Sequence, residues 1–236
     1  MERLLAQLVD RLTKTFDDRL VSVILFGSAT DGNHHSQFSD LNVFCVLSKI
    51  SQRELAESGP IFQWWRELGN PAPLLMTEEE ARTSTDSFPI EFHDMQERRK
   101  VLWGSDVIAT LVIDKRYWRA HLEHDLRSKL LRLRQQATGV LSDRDALLKL
   151  CIDSVSTFCV LGRHALLIAG RECGWKKREV AQAIGTAINA DMTPFYQLLE
   201  VREGKAAPQE VDPGNLFGNY LLRIQELIAF VDRLEE

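Results

Sequence analysis

The sequence contains little of what marks disulfide-rich, zinc-ribbon or membrane proteins. Its 236 residues include only four cysteines, which lie far apart and form no CxxC pair. That spacing argues against a disulfide framework and against zinc, so we expect buried, reduced thiols in a cytoplasmic protein. The apolar runs fall short of the roughly 20 residues that a membrane helix needs. The N-terminal segment, residues 1–12, is charged and amphipathic, unlike a signal peptide.

A large excess of charge of one sign is also lacking. The formal net charge is -5, which argues against a dedicated nucleic-acid-binding protein. Hydrophobic residues make up 44% and charged residues 27%, as in ordinary globular proteins. The charge is uneven, because residues 1–115 hold 12 basic and 18 acidic residues, whereas the remainder holds 17 and 16. This asymmetry indicates two parts with different roles.

The first part alternates helix-like and strand-like segments. Helical periodicity predicts an amphipathic helix over 2–17. Short apolar runs predict strands over 21–26, 41–47, 74–76 and 90–95. Capping-box patterns predict helices that begin after Ser51 and after Thr77, the first of them interrupted at Gly59 and Pro60.

After residue 115 the strand signals stop and helical periodicity takes over. The predicted helices cover 116–137, with Asp114 as the cap, then 143–170, 176–189 and 216–234. Residues 204–208 and 212–214 are expected to be loops. The predicted fold class is therefore α+β: a domain over 1–115 with a mixed β-sheet, followed by an all-α helical bundle over 116–236.

The segment with the clearest chemical pattern follows the first predicted strand. Gly27 ends that strand and Ser28 follows, so backbone amides and a hydroxyl converge in one turn, where a phosphate can bind. Asp40 and Asn42 open the next predicted strand. Alternation places both on one face of the sheet, about 6–7 Å apart, a spacing at which two oxygen ligands can hold Mg²⁺.

This arrangement resembles the nucleotidyltransferase superfamily, the polymerase-β-like enzymes that include the aminoglycoside adenylyltransferases. The resemblance rests on Leu25 to Ala29 (LFGSA), on Asp40 and Leu41 after a polar loop, and on two later segments. The segment 89–92 (PIEF) resembles the part of the streptomycin-type adenylyltransferases that carries a catalytic glutamate, and 101–104 (VLWG) resembles the turn that follows it. The order of parts agrees over most of the chain, but the specific motifs cover only about 25 residues.

The resemblance implies a transfer of a nucleoside monophosphate from ATP or another NTP to a hydroxyl of a small molecule or protein. It implies that Gly27 and Ser28 bind the nucleotide and that Asp40, Asn42 and Glu91 hold Mg²⁺. Asp40 and Glu91 are the implied catalytic residues. The helical domain would bind the acceptor or a partner. A homodimer is left open, and no membrane partner is expected.

One position departs from the pattern, because Asn42 stands where the superfamily has its second acid. An amide oxygen can ligate Mg²⁺ but brings no negative charge, and hard cations favour carboxylates. Three alternatives follow: an enzyme with weakened metal binding, an enzyme that uses another acid, or a degenerate transferase that acts as a nucleotide-sensing, regulatory or antitoxin-like binding module. Asp94 is a candidate replacement, but in a strand it would lie on the face opposite Glu91.

Overall fold

The structure is a computed structural model that describes residues 1–31 and 41–234. Asp40 lies outside the described residues. The chain forms two compact units, Met1–Lys115 and Arg116–Glu236. The first combines a sheet with helices and the second is helical, which confirms the predicted α+β class followed by a helical domain.

A four-stranded sheet forms the centre of the first unit. Its strands are β1 (Leu20–Phe26), β2 (Asn42–Leu47), β3 (Leu74–Thr77) and β4 (Arg99–Gly104). They lie in the order β3-β2-β1-β4. β1 is antiparallel to both β2 and β4, whereas β2 and β3 are parallel. The sheet is therefore mixed, as predicted.

Helices cover both faces of this sheet. They are α1 (Glu2–Phe16), α2 (Gln52–Glu67), α3 (Glu78–Thr83) and α4 (Pro89–Glu97). One core packs α1 and α2 against the odd-numbered residues of β1 and β2, for example Leu25 and Val43. The other core packs α3 and α4 against even-numbered residues such as Ile24 and Phe44. Because alternate strand residues point to opposite faces, the α4 side is the face on which Asn42 lies.

Helix α2 corrects one prediction, because it runs unbroken through Gly59 and Pro60. Proline cannot donate a backbone hydrogen bond to the residue four positions earlier, here Ala56. Both Pro60 and Ala56 are exposed, so water can satisfy the freed carbonyl. The opposite side of the helix buries Ile61 and Trp65 in the core, which keeps the second half of the helix in line with the first.

The prediction of a strand over 90–95 is wrong, because these residues form α4. Pro89 occupies the start of the helix, where its fixed φ and missing N–H cost nothing. Ile90 and Phe92 alternate as in a strand, but Phe92 and Met95 are three residues apart and are buried in the same core. Glu91 therefore lies in the first turn of a helix.

The start of α2 is fixed by a partly buried ionic network around Glu54. Glu54 accepts hydrogen bonds from the backbone N–H of Ser51 at 2.9 Å, from the Ser51 hydroxyl, and from Arg19 at 2.6 Å. Arg19 also contacts Glu57 at 2.8 Å. The bonds from Ser51 and Arg19 lower the pKa of Glu54 from 4.5 to about 2. The carboxylate form thus links α2 to the segment that precedes β1.

We expect Glu54→Gln to destabilise the protein at pH 7 by an amount that shrinks with acidification. Because the pKa of Glu54 is lowered on folding, its stabilisation is complete above the unfolded value near 4.5 and is lost as the pH falls toward about 2. Urea denaturation at pH 7, 5 and 3 measures the difference from the wild type. Glu67→Gln, an exposed position at the end of α2, is the control. An equal destabilisation at pH 7 and pH 3 would contradict the ionic explanation.

The second unit consists of helices around a central apolar one. Its helices are α5 (Trp118–Thr138), α6 (Arg144–Ile168), α7 (Lys177–Ile188), α8 (Thr193–Arg202) and α9 (Pro213–Asp232). α6 packs against all four others. Tyr220 of α9 is fully buried, with its hydroxyl 3.0 Å from the Ser154 hydroxyl and its ring edge-on to Phe158 and Phe195.

The second unit differs from the predictions in the starts of two helices and in one additional helix. α5 begins at Trp118 after Tyr117, and Asp114 is not its cap. α9 begins at Pro213, because the Asp212 carboxylate accepts from the Gly214 N–H at 3.1 Å and caps the helix. α8 was not predicted, although Asp191 accepts from the backbone N–H and the hydroxyl of Thr193 at its start.

By length and composition, α6 is the one helix of the described residues that could cross a membrane. Twelve of its 25 residues are buried, as in the core helix of a bundle. Among them are Cys151 and Cys159, and burial raises the pKa of each thiol to about 12. Cys45 in the first unit is equally buried, while Cys173 is half-buried, and all four cysteines are free. The expectation of mostly buried thiols is confirmed.

Candidate nucleotide-binding site

Three strands meet at the end of the sheet where β1 stops. Phe26, the last residue of β1, lies opposite Asn42, the first residue of β2. On its other side Phe26 lies opposite Arg99, the first residue of β4. Directly opposed residues of antiparallel strands share a face, so Asn42, Phe26 and Arg99 form one row across the sheet. The Gly27–Ser28 turn leaves the sheet from the middle of this row.

The turn itself is held by backbone contacts on both sides of Gly27. The Gly27 N–H donates to the carbonyl of Arg98 at 3.1 Å, and the Thr30 hydroxyl donates to the Gly27 carbonyl at 2.8 Å. Gly27 has a φ of +79°, a conformation that favours glycine. Ser28 is exposed, whereas Ala29 is buried. The Gly27 amide is therefore used within the fold, and Ser28 is the predicted nucleotide-binding residue that faces solvent.

Asn42 lies directly beside this turn. Its Nδ2 is 3.5 Å from the point that a Cβ on Gly27 would occupy. The absence of a side chain on Gly27 thus leaves the Asn42 amide open toward the turn. Within the described part of the chain, the Asn42 side chain makes no hydrogen bond. A half-buried amide beside a turn is a group that can bind a polar ligand.

Glu91 reaches the same face of the sheet through α4. The Phe92 ring packs edge-on against Phe44 of β2, with ring centroids 6.3 Å apart. Phe44 is two residues from Asn42 on the same face, so this contact places the helix of Glu91 over the strand of Asn42. Glu91 is exposed in the first turn of α4.

Because residues 89–97 form a helix, Asp94 does not lie where a strand over 90–95 would place it. Residues three apart on a helix lie on one side, so Asp94 is on the same side of α4 as Glu91 and not opposite to it. The Asp94 side chain is half-buried and its carboxylate lies 3.8 Å from the ring Nδ1 of His93. The objection that strand parity raised against Asp94 as a further acid therefore no longer holds.

Two of the three predicted metal ligands, Asn42 and Glu91, lie among the described residues. Asp40 lies outside the described residues, so the set of Asp40, Asn42 and Glu91 remains a prediction. The two described members offer one exposed carboxylate and one amide. Oxygen donors of this kind suit Mg²⁺, but this pair brings a single negative charge. The donor chemistry thus fits one Mg²⁺ that shares its coordination with nucleotide phosphates.

Arg99, the basic residue of this row, is not among the site residues that the sequence predicts. The Arg99 guanidinium donates twice to the Asp106 carboxylate at 2.9 and 3.0 Å and once to the Gln96 carbonyl at 2.5 Å. These bonds fix Arg99 on the face of Asn42 and hold the pKa of Asp106 below its usual value. Gln96 is in turn anchored to the carbonyl of Leu111 at 2.6 Å. The run of Arg98, Arg99 and Lys100 at the start of β4 was the available signal.

No protein-family model matches the chain, and no curated protein matches its sequence. A solved structure does match: the spectinomycin adenyltransferase AAD(9) of Enterococcus faecialis, crystallised with ATP and spectinomycin. The alignment covers 97% of this chain and 99% of that one, with a TM-score of 0.62 and 13% sequence identity.

The two chains share a fold. The likeness extends over both units, so it includes the helical bundle as well as the sheet. At this level of identity it concerns architecture alone. The architecture is a mixed-sheet domain followed by helices, as the sequence predicted.

Proposed function

We propose that the protein binds a nucleoside triphosphate, ATP in the simplest case, at the Gly27–Ser28 turn and transfers its nucleoside monophosphate to a hydroxyl acceptor. The observation that carries this proposal is the row of Asn42, Phe26 and Arg99 from which the turn leaves the sheet. The row carries an amide and a guanidinium, and the exposed Ser28 follows in the turn. These are the groups by which proteins bind phosphate. The full-length likeness to an adenyltransferase supports a nucleotidyltransferase-like function in general.

In the proposed reaction the acceptor oxygen attacks the α-phosphorus of the nucleotide. A bond forms between them, and the bond from the α-phosphorus to the bridging oxygen breaks, so that pyrophosphate leaves with its electron pair. Glu91 takes the proton of the acceptor hydroxyl, since an exposed carboxylate on the ligand side of the sheet can be reached by an incoming substrate. Bound Mg²⁺ would neutralise charge on the phosphates. Asp40 and Glu91 supply the carboxylates that would hold it.

We assign the binding of the acceptor to the second unit. The AAD(9) structure contains spectinomycin, and the alignment covers 97% of this chain. A small polyhydroxylated acceptor is therefore the first class to test, followed by protein hydroxyls.

The proposal is tested with ATP labelled at the α-phosphate, Mg²⁺ and a panel of acceptors that includes aminocyclitols, aminoglycosides and Ser- or Tyr-containing peptides. We expect label on one acceptor class, stoichiometric pyrophosphate release, and a melting temperature that rises with ATP concentration. Absence of transfer together with an unchanged melting temperature would overturn the proposal.

A second function is favoured by one observation, the uncharged Asn42 at the position of the second acid. A degenerate transferase would bind the nucleotide and respond to it without transferring it, as a sensing or regulatory module. It predicts the rise in melting temperature with ATP but no labelled acceptor. Restoring the acid by Asn42→Asp should then create measurable transfer.

If Glu91 accepts the proton, Glu91→Gln should lower kcat by about 10²–10⁴-fold, the usual contribution of a general base. The KM for ATP should change little, because the proposed role concerns the acceptor proton. Glu97→Gln on the same helix, also exposed, is the matched control and should behave as the wild type. Steady-state kinetics with the best acceptor measures both values. A Glu91→Gln variant with kcat within threefold of the control would exclude the role.

A further inference from the structure

We infer that Asn42 binds a nucleotide phosphate directly, as a hydrogen-bond donor, so that nucleotide binding does not require Mg²⁺. The inference rests on the proposed function, since it takes the nucleotide to lie at the Gly27–Ser28 turn. It gives Asn42 a role that differs from the metal ligand expected at this position.

The Asn42 amide has its nitrogen toward the turn. Nδ2, the donor end of the side chain, faces Gly27 and lies 3.5 Å from the position of an absent Cβ. An amide nitrogen carries two hydrogens and can therefore donate twice. Among the described residues, none accepts a hydrogen bond from this amide.

The second argument is the space above the turn. Any side chain on Gly27 would begin at the point that the Asn42 amide faces, and its φ of +79° disfavours one in any case. A phosphate oxygen that approaches Gly27 and the exposed Ser28 therefore meets the Asn42 amide as its next neighbour. The geometry brings donor and acceptor together with no side chain between them.

The third argument is charge. A carboxylate at position 42 would repel a phosphate and would need a cation between the two groups, whereas a neutral donor needs none. At the other end of the same row, Arg99 is held in place by Asp106 and by the Gln96 carbonyl. The Arg99 charge is thus balanced by Asp106, and Asn42 is the neutral donor beside the turn.

The two possible orientations of the amide give opposite predictions. With Nδ2 toward the turn, Asn42 donates to phosphate and ATP binds with or without metal. With the oxygen toward the turn, Asn42 is a metal ligand, and removal of Mg²⁺ should abolish its contribution. A comparison of ATP binding in the two conditions therefore separates the two roles.

The experiment is calorimetric titration of the full chain with ATP, in EDTA and in excess Mg²⁺, for the wild type, Asn42→Asp and Asn42→Ala. We expect the wild-type Kd to differ by less than about threefold between the conditions. Asn42→Asp should weaken binding in EDTA by about tenfold or more, the value of a hydrogen bond to a charged group, and Mg²⁺ should restore it. Asn42→Ala should weaken binding in both conditions, and Mg²⁺ should not restore it.

Gln52→Glu adds the same charge on α2, which covers the opposite face of the sheet, and serves as the control. Circular dichroism and melting curves establish that each variant is folded. Wild-type binding that appears only with Mg²⁺, or Asn42→Asp binding that equals the wild type in EDTA, would overturn the inference and leave the nucleotide proposal standing. Failure of the wild type to bind ATP in either condition would overturn both.

Discussion

Gly104→Ala is expected to lower the free energy of unfolding of the first unit by about 2–5 kcal/mol. Gly104 ends β4 with a φ of +77°, and a Cβ there would lie 2.1 Å from the carbonyl oxygen of Val21. The left-handed conformation costs about 1–2 kcal/mol for a residue with a Cβ. Displacing backbone that is packed as tightly as a core adds about 1–3 kcal/mol.

The close approach at Gly104 also determines how β4 joins β1. The next residue, Ser105, donates its N–H to the Val21 carbonyl at 3.3 Å, and its own carbonyl accepts from the Ser22 hydroxyl at 2.6 Å. A Cβ at position 104 would force β4 away from β1 at this point. Because β4 begins at the nucleotide turn, we expect ATP affinity to fall together with stability.

Gly69→Ala is the matched control for Gly104→Ala. Gly69 has a φ of +86°, but a Cβ there would meet nothing within 4 Å. Gly69→Ala should therefore lower the free energy of unfolding only by the cost of the left-handed conformation, about 1–2 kcal/mol. Chemical denaturation followed by circular dichroism gives both values. Equal destabilisation by the two substitutions would show that the contact with Val21 adds nothing.

The elements that the sequence predicted well are those specified by local signals. β1 is a short β-branched run that a glycine stops, and α2 and α3 begin at capping boxes in which side chain and backbone bond reciprocally. In such segments the propensity, the periodicity and the terminal residues all agree. The position of the Gly27–Ser28 turn followed from these signals, because it required only the end of one strand.

The failure at α4 has a definite physical cause. Ile90 and Phe92 are two residues apart, which fits a strand, and Phe92 and Met95 are three apart, which fits a helix. Over so short a segment the periodicity does not decide between the two. Pro89 was the decisive signal, since proline is favoured at the first position of a helix and rare inside a sheet. This correction matters for function, because it moves Asp94 to the side of Glu91.

The ionic part of the site could not be predicted, because it depends on tertiary contacts. Arg99 is fixed by Asp106 beyond the end of β4, and its neighbour Gln96 is fixed by the carbonyl of Leu111. Nothing in the spacing of these residues indicates which carboxylate or carbonyl each will meet. The same holds for the closeness of Asn42 to the turn, which follows from the pairing of β2 with β1.

Asp40→Asn should reduce nucleotidyl transfer by about 10³-fold if the protein is an active transferase. Asn42 is already neutral, so Asp40 is the only acid of the motif that opens β2. Metal-assisted stabilisation of phosphoryl charge contributes several kcal/mol, and each factor of ten in rate corresponds to about 1.4 kcal/mol. Steady-state transfer assays with labelled ATP over a range of Mg²⁺ concentrations measure the loss.

The same variant separates the roles of Asp40 and Asn42. If Asn42 holds phosphate without metal, Asp40→Asn should leave ATP binding in EDTA unchanged or slightly stronger, because it removes a negative charge two residues before Asn42 in the sequence. Asn42→Ala should do the reverse and weaken binding in EDTA. Asp86→Asn, an exposed position in the first unit, is the control for the loss of one carboxylate. Transfer by Asp40→Asn within tenfold of this control would mean that the motif at β2 does not carry the chemistry, and that the acids of α4 must do so.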